Sequence, residues 1–280
     1  MRPTLCFLLF VCVAKSASAE SLTLHTRAQE TNGNKARPQF VTVEKSLQWD
    51  AAKTAIVVCD MWDKHWCDGA TRRVAEMAPR MNEVITAARK RGVLIIHCPS
   101  SCLDFYKDTP MRSLAQSAPP VATDIELQGW CHIDADKEPI LPIDDSDGGC
   151  DCDPSCKTYT AWSRQIAAID IESGDAITDS AEAYYLMRQR GIENVIVMGV
   201  HTNMCVLGRP FSIRQMIYQG QNVVLMRDMT DTMYNSRMSP YVGHFDGNRL
   251  VTQHIERHWC PTITSSDFVD KPPFRFKRDD

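Results

Sequence analysis

The chain has 280 residues, 44% of them hydrophobic and 24% charged, with a formal net charge of −4 at pH 7. That length can bury a substantial core as one domain, and no apolar run approaches the roughly 20 residues needed to span a bilayer. The acidic balance argues against nucleic acid as a partner, because phosphate binding draws on clustered Lys and Arg.

The first segment decides the compartment. Arg2, the apolar run from Leu5 to Ala14, and the small residues Ala17, Ser18 and Ala19 before Glu20 have the layout of a secretory signal peptide. Residues 1–19 are therefore expected to be removed, which takes away Arg2 and Lys15 and no acid, so the net charge becomes −6. The product is expected to work in the periplasm or outside the cell, with no membrane insertion. Residues 20–48 read as an N-terminal extension, 49–270 as the main domain with an insertion at 119–160, and 271–280 as a charged tail.

Strand and helix signals then alternate. Thr54 to Cys59 is a short apolar run ending in Asp60 and predicts a buried strand, and Arg72 to Arg91 is amphipathic with Gly92 as its stop. Val93 to His97 predicts a second strand and Arg164 to Ile171 a third. Asp179 to Arg190 predicts a helix closed by Gly191, and Asn194 to Met198 a fourth strand. Cys205 to Gln219 predicts a helix kinked by Pro210, Asn222 to Met226 a fifth strand, and Gly247 to His258 a last helix before Thr262 to Ser265. Continuous apolar strands alternating with helices predict an α/β fold of three layers, α/β/α, with a mainly parallel sheet. Ligands of such sheets bind beyond the carboxyl ends of the strands, so Asp60 and Cys205 should converge on one crevice.

Ten cysteines follow the leader, and Cys131, Cys150, Cys152 and Cys156 lie in the Asp-, Gly- and Pro-rich insertion. In an exported chain they predict disulfides, at least one of them within the insertion. Half of a zinc site is the other reading of Cys150, Cys152 and Cys156, although the spacing is unlike a zinc ribbon. His97 ends a strand and reads as a core histidine; His254 and His258 share a helix face and read as solvated. No metal and no cofactor is expected.

Chemistry concentrates in Gly199-Val200-His201-Thr202-Asn203-Met204-Cys205-Val206, where an apolar strand breaks into a helix start. Unpaired backbone N–H groups at such a start favour a thiolate on Cys205 and can hold an oxyanion. Together with Asp60 after the first strand and Arg190-Gly191-Ile192 before the fourth, this segment resembles the isochorismatase-like cysteine hydrolase family, which includes nicotinamidases and carbamoyl-sarcosine amidases. The resemblance covers about residues 50–235 without the insertion. It implies an isochorismatase-like hydrolase fold, Cys205 as nucleophile, and Asp60 as its general base. It also implies a cis peptide at Val200-His201 and an oxyanion hole from the N–H groups of His201 and Cys205.

Three departures accompany the likeness. Where the family carries a catalytic Lys, the spacing arrives at Glu172, in a stretch with no Lys; Glu172 would then share a proton with Asp60, or Lys64 would supply the missing charge. The Asp-x-His metal pair of nicotinamidases has no counterpart in the segment from His97 to Asp104, which argues against nicotinamide. Gly208-Arg209-Pro210 falls early in the helix after the nucleophile and predicts an altered pocket wall. Trp62, Lys64, His65, Phe105 and Thr202 are the candidate substrate contacts, with Trp66, Tyr106 and Trp162 nearby. The expected activity is hydrolysis of an amide-like C–N bond in a small molecule. A vinyl-ether hydrolase of the isochorismatase type and a non-catalytic small-molecule-binding protein stay open, as does assembly into a homo-oligomer.

Overall fold

The computed structural model describes residues 20–33 and 39–277; the expected signal peptide lies outside the described residues. The first two strands, β1 (Ser21–Thr31) and β2 (Phe40–Asp50), pair antiparallel along their full length. They are followed by β3 (Thr54–Cys59), α1 (Asp68–Lys90), β4 (Leu94–Cys98), α2 (Leu103–Tyr106), α3 (Pro110–Gln116) and β5 (Ala176–Ile177). Then come α4 (Glu182–Gln189), β6 (Asn194–Val200), α5 (Cys205–Gly208), α6 (Ile213–Tyr218), β7 (Asn222–Asp231), α7 (His244–His258) and β8 (Thr262–Ile263). The strands form one eight-stranded sheet in the order β2-β1-β8-β7-β6-β3-β4-β5. Pairing is parallel from β8 to β5 and antiparallel where β1 meets β8 and β2.

Successive residues of each strand point to opposite faces, and here both faces are buried. Ala55, Val57 and Cys59 of β3 pack with Ala183, Leu207, Ile213 and Val251 from α4 to α7. Ile56 and Val58 pack on the other side with Met77, Met81 and Val84 of α1. That double burial explains why β3 and β6 read as unbroken apolar runs, and it produces the α/β/α layering.

Two expectations for local structure are corrected. Arg164 to Ile171 is not a strand: only Gln165 makes a bridge, to Trp62, while Ile169 is a buried and Ile166 a partly buried loop residue on the α1 face. A short apolar run of this length looks the same whether it is a strand or a loop anchor; the sheet position is taken instead by the two-residue β5. The helix expected from Cys205 to Gln219 is broken into α5 and α6 around Pro210, since proline lacks the N–H needed to continue it.

Gly199 holds β6 against β3. It has φ +110°, and a Cβ placed on it would collide with the Cys59 carbonyl oxygen. Both the backbone region and the space exclude a side chain. Gly199→Ala is therefore expected to destabilise the fold by about 3 kcal/mol, read as a lowered urea midpoint.

Candidate active site

β3 delivers Asp60 to the carboxyl edge of the sheet in a left-handed turn (φ +47°) that buries its side chain completely. Its Oδ1 accepts a hydrogen bond from the Ser100 N–H (2.8 Å), and its N–H donates to the Cys98 carbonyl (3.0 Å), so β4 fixes it from the neighbouring strand. Oδ2 has no hydrogen-bond partner and faces the Arg209 Nε at 3.8 Å.

β6 ends at Val200, and the Val200-His201 peptide is cis. The chain then folds back on itself. Thr202 N–H donates to the Asp231 carbonyl (2.9 Å), the Thr202 and Thr230 hydroxyls meet at 2.7 Å, and Met204 and Val206 N–H groups donate to the His201 carbonyl. This places the half-buried Cys205 at the start of α5, beside the Asp60 carboxylate and the Arg209 guanidinium. The N–H of Cys205 meets no carbonyl among the described residues.

The electrostatics differ from those expected of a helix-terminal cysteine. Burial and then the Asp60 charge push the Cys205 thiol well up, and Arg209 only partly offsets them. α5 is four residues long and has little dipole to offer. Burial likewise raises the Asp60 carboxyl, while Arg209 and Cys205 pull it back down. The resting site is a neutral thiol beside a carboxylate whose proton affinity exceeds that of an ordinary one. The cation next to both is Arg209.

Arg209 is the residue that sequence reasoning missed. It lies four positions after Cys205 and so falls on the same side of the chain one turn on. The signal was present in Gly208-Arg209-Pro210. Gly208 has no side chain because the Trp130 indole occupies that space, 2.7 Å from where a Cβ would be, and the Arg209 guanidinium lies 5.6 Å from the centre of that ring. The insertion thus presses on the turn that carries the cation.

Glu172 is not in this crevice, which corrects the sequence assignment. Its side chain is 59% exposed and pairs with Arg89 (3.0 Å) near the far end of α1. It precedes β5, whereas Asp60 follows β3, so the two lie toward opposite edges of parallel strands. Lys64 also points away, toward the Tyr159 ring (5.9 Å). Phe105 is 55% exposed and stacks edge-on against Tyr106.

The remaining candidates come together. Trp62, His65, Trp162 and His201 form a chain of ring contacts with centroid separations of 4.6 to 6.0 Å. Burial and the Arg73 charge lower the His65 pKa to about 4, and its Nδ1 accepts from the Cys67 N–H (3.1 Å), so it is a neutral ring. Thr202 is internal to the turn and holds it in place. Five buried polar atoms in this region have no hydrogen-bond partner: Asp60 Oδ2, Ser100 Oγ, Trp162 Nε1, His201 Nε2 and Arg209 Nε. Buried groups left unsatisfied in this way are costly, which is how binding sites differ from cores.

The insertion is anchored by charge. Glu138, fully buried, accepts hydrogen bonds from Arg214 (2.7 Å), His254 (2.7 Å) and Trp259 (2.8 Å). His254 is therefore buried and bonded, not the solvated residue that its helix face suggested. Asn203 Nδ2 donates to Asp145 (2.6 Å), so the insertion also grips the segment just before the thiol. His97 is a satisfied core histidine, between Gln165 and Asp175.

The chain is similar to isochorismatase-family and cysteine-hydrolase structures. A cysteine hydrolase from Pseudomonas syringae pv. phaseolicola aligns at 18% identity and TM-score 0.48, covering 78% of this chain and 92% of that one. An isochorismatase family protein from Burkholderia thailandensis aligns at 16% and 0.44, over 77% and 93%. N-carbamoylsarcosine amidase from Thermoplasma acidophilum aligns at 13% and 0.41, over 76% and 96%. No protein-family model and no curated protein matches the sequence. Likeness at this level says nothing of the chemistry, which rests on this chain's own residues.

Proposed function

We propose that the chain is a hydrolase that cleaves an amide-like C–N bond of a small molecule through Cys205. The observation that carries this reading is the meeting of Asp60, Cys205 and Arg209 at the carboxyl edge of the sheet, among buried polar atoms that no protein group satisfies. The Asp60 carboxylate takes the thiol proton, and the thiolate attacks the substrate carbonyl carbon. The oxyanion is held by the N–H groups of Cys205 and His201. Collapse expels the amine, which takes the proton from Asp60. Water, deprotonated by Asp60, then breaks the thioester and returns the thiol. Arg209 keeps the site ionisable, since it favours both the carboxylate and the thiolate. The aromatic chain from Trp62 to His201 suits a small, partly apolar substrate. We also take the chain to act outside the cytoplasm, on the strength of its leader.

Because burial raises the Asp60 carboxyl, the base ionises at higher pH than an ordinary aspartate. Activity is thus expected to climb with pH along a limb displaced upward from that range. The test is turnover of a panel of primary amides and N-carbamoyl compounds across pH, with iodoacetamide labelling and peptide mapping alongside. Loss of turnover in Cys205→Ala and Asp60→Asn, with Cys205 labelled faster as pH rises, supports the amidohydrolase. Turnover that survives Cys205→Ala but not Asp60→Asn points to vinyl-ether hydrolysis with Asp60 as the acid. Binding without turnover in the parent chain points to a binding protein.

A further inference from the structure

Cys67, Cys150, Cys152 and Cys156 take no part in the chemistry above, yet the fold gathers them into one place. The Cys67 sulfur lies 3.3 Å from that of Cys150 and 3.9 Å from that of Cys152, and all three sulfurs are within 4.8 Å of one another. Cys156 packs against the same cluster of Cys67 and Cys150. No disulfide joins any of them, and all ten described cysteines are thiols, which corrects the disulfides expected of the insertion. A disulfide needs sulfurs about 2.04 Å apart and sorts cysteines into pairs. Here one sulfur is near two others, and the spacing is close to the edge of about 3.8 Å that a tetrahedron with metal–sulfur bonds of about 2.3 Å would have.

The backbone is arranged around these sulfurs as well. Cys67 immediately precedes α1, a helix of 23 residues. The Gly69 N–H, in the first turn of that helix, donates to the Cys152 sulfur at 3.3 Å. A free amide at the start of a long helix thus addresses one of the sulfurs, as suits a sulfur that carries negative charge. Gly69 is required there, since a Cβ would run into the Asp151 carboxylate. Cys67, which sequence spacing gave no reason to join to the insertion, completes a set of four.

We propose that Cys67, Cys150, Cys152 and Cys156 form a structural tetrathiolate site for a zinc ion. Four sulfur donors in closed geometry select Zn²⁺ over hard cations. The ion clamps the insertion to the first turn of α1, and so to the loop from Trp62 to Trp66 that walls the crevice. Met204, next to Cys205, and Met233 pack against the same cluster, so the clamp also backs the nucleophile turn. Binding releases the thiol protons to solvent and changes no oxidation state.

The test uses the unsubstituted full chain, so it does not depend on a variant folding. Protein purified without chelator is analysed for metal by mass spectrometry, and its cysteines are mapped by alkylation under non-reducing conditions. The expected result is about one zinc per chain, with Cys67, Cys150, Cys152 and Cys156 alkylated only after chelation. Refolding with Co²⁺ in place of zinc should give the intense red-region bands of a tetrahedral cobalt thiolate. Cys156→Ser should weaken those bands and lower the metal content, while Cys98→Ser, in β4, should leave both unchanged. Metal-free protein with peptides linked through Cys67 and Cys150, or through Cys152 and Cys156, would overturn the proposal.

Discussion

Arg209→Ala is expected to lower kcat/KM by on the order of 10³-fold, because it removes the only cation beside the Asp60 carboxylate and the Cys205 thiol among the described residues. Arg209 pulls both groups toward their charged forms, so without it both pKa values move further up. The rising limb of the pH profile should therefore shift to higher pH in the variant. Arg209→Lys keeps the charge but not the planar fork, and should recover part of the rate with the limb near its original position. A steady-state pH profile of the three proteins decides the matter. Unchanged turnover in Arg209→Ala would remove the residue from the mechanism and reopen the choice of cation.

The second large effect concerns stability. Glu138→Ala is expected to cost about 3–5 kcal/mol, read from urea unfolding, because it leaves the buried Arg214 guanidinium without its carboxylate. The insertion should loosen with it, which protease sensitivity between residues 119 and 160 would report. Replacing both partners, Glu138→Leu with Arg214→Leu, should restore much of the loss, since an apolar pair carries no uncompensated charge. Burial pushes the Glu138 carboxyl up, but His254, Trp259 and Arg214 outweigh it and hold its pKa below the ordinary value. Its contribution is therefore present above the ordinary carboxylate range and is lost as pH falls through the lowered pKa. In the double variant that acid sensitivity should disappear.

The sequence by itself determined the layered α/β architecture, the buried strands that lead into Asp60 and into the Gly199 to Val206 segment, and the approach of Asp60 to Cys205. These were legible because a strand buried on both faces must be apolar throughout, as β3 and β6 are, and because parallel strands bring their carboxyl ends to one edge. Pro210 likewise announced a kink after Cys205, since the missing N–H is a local property of the residue, although the structure breaks the helix there altogether. The tertiary structure alone decided the rest. Arg209 rather than Glu172 or Lys64 stands beside the nucleophile because Trp130, far off in the insertion, packs on Gly208 and holds that turn. Glu172 is drawn away by Arg89, at the last turn of α1. Arg164 to Ile171 became a loop because Ile169 and, in part, Ile166 could be buried against the α1 face without a sheet partner. Cys67 joined three cysteines more than 80 positions away because α1 begins where the insertion returns. Spacing along the chain encodes periodicity and turn chemistry, whereas the partner of a buried charge or thiol is set by which distant segment reaches it first in three dimensions.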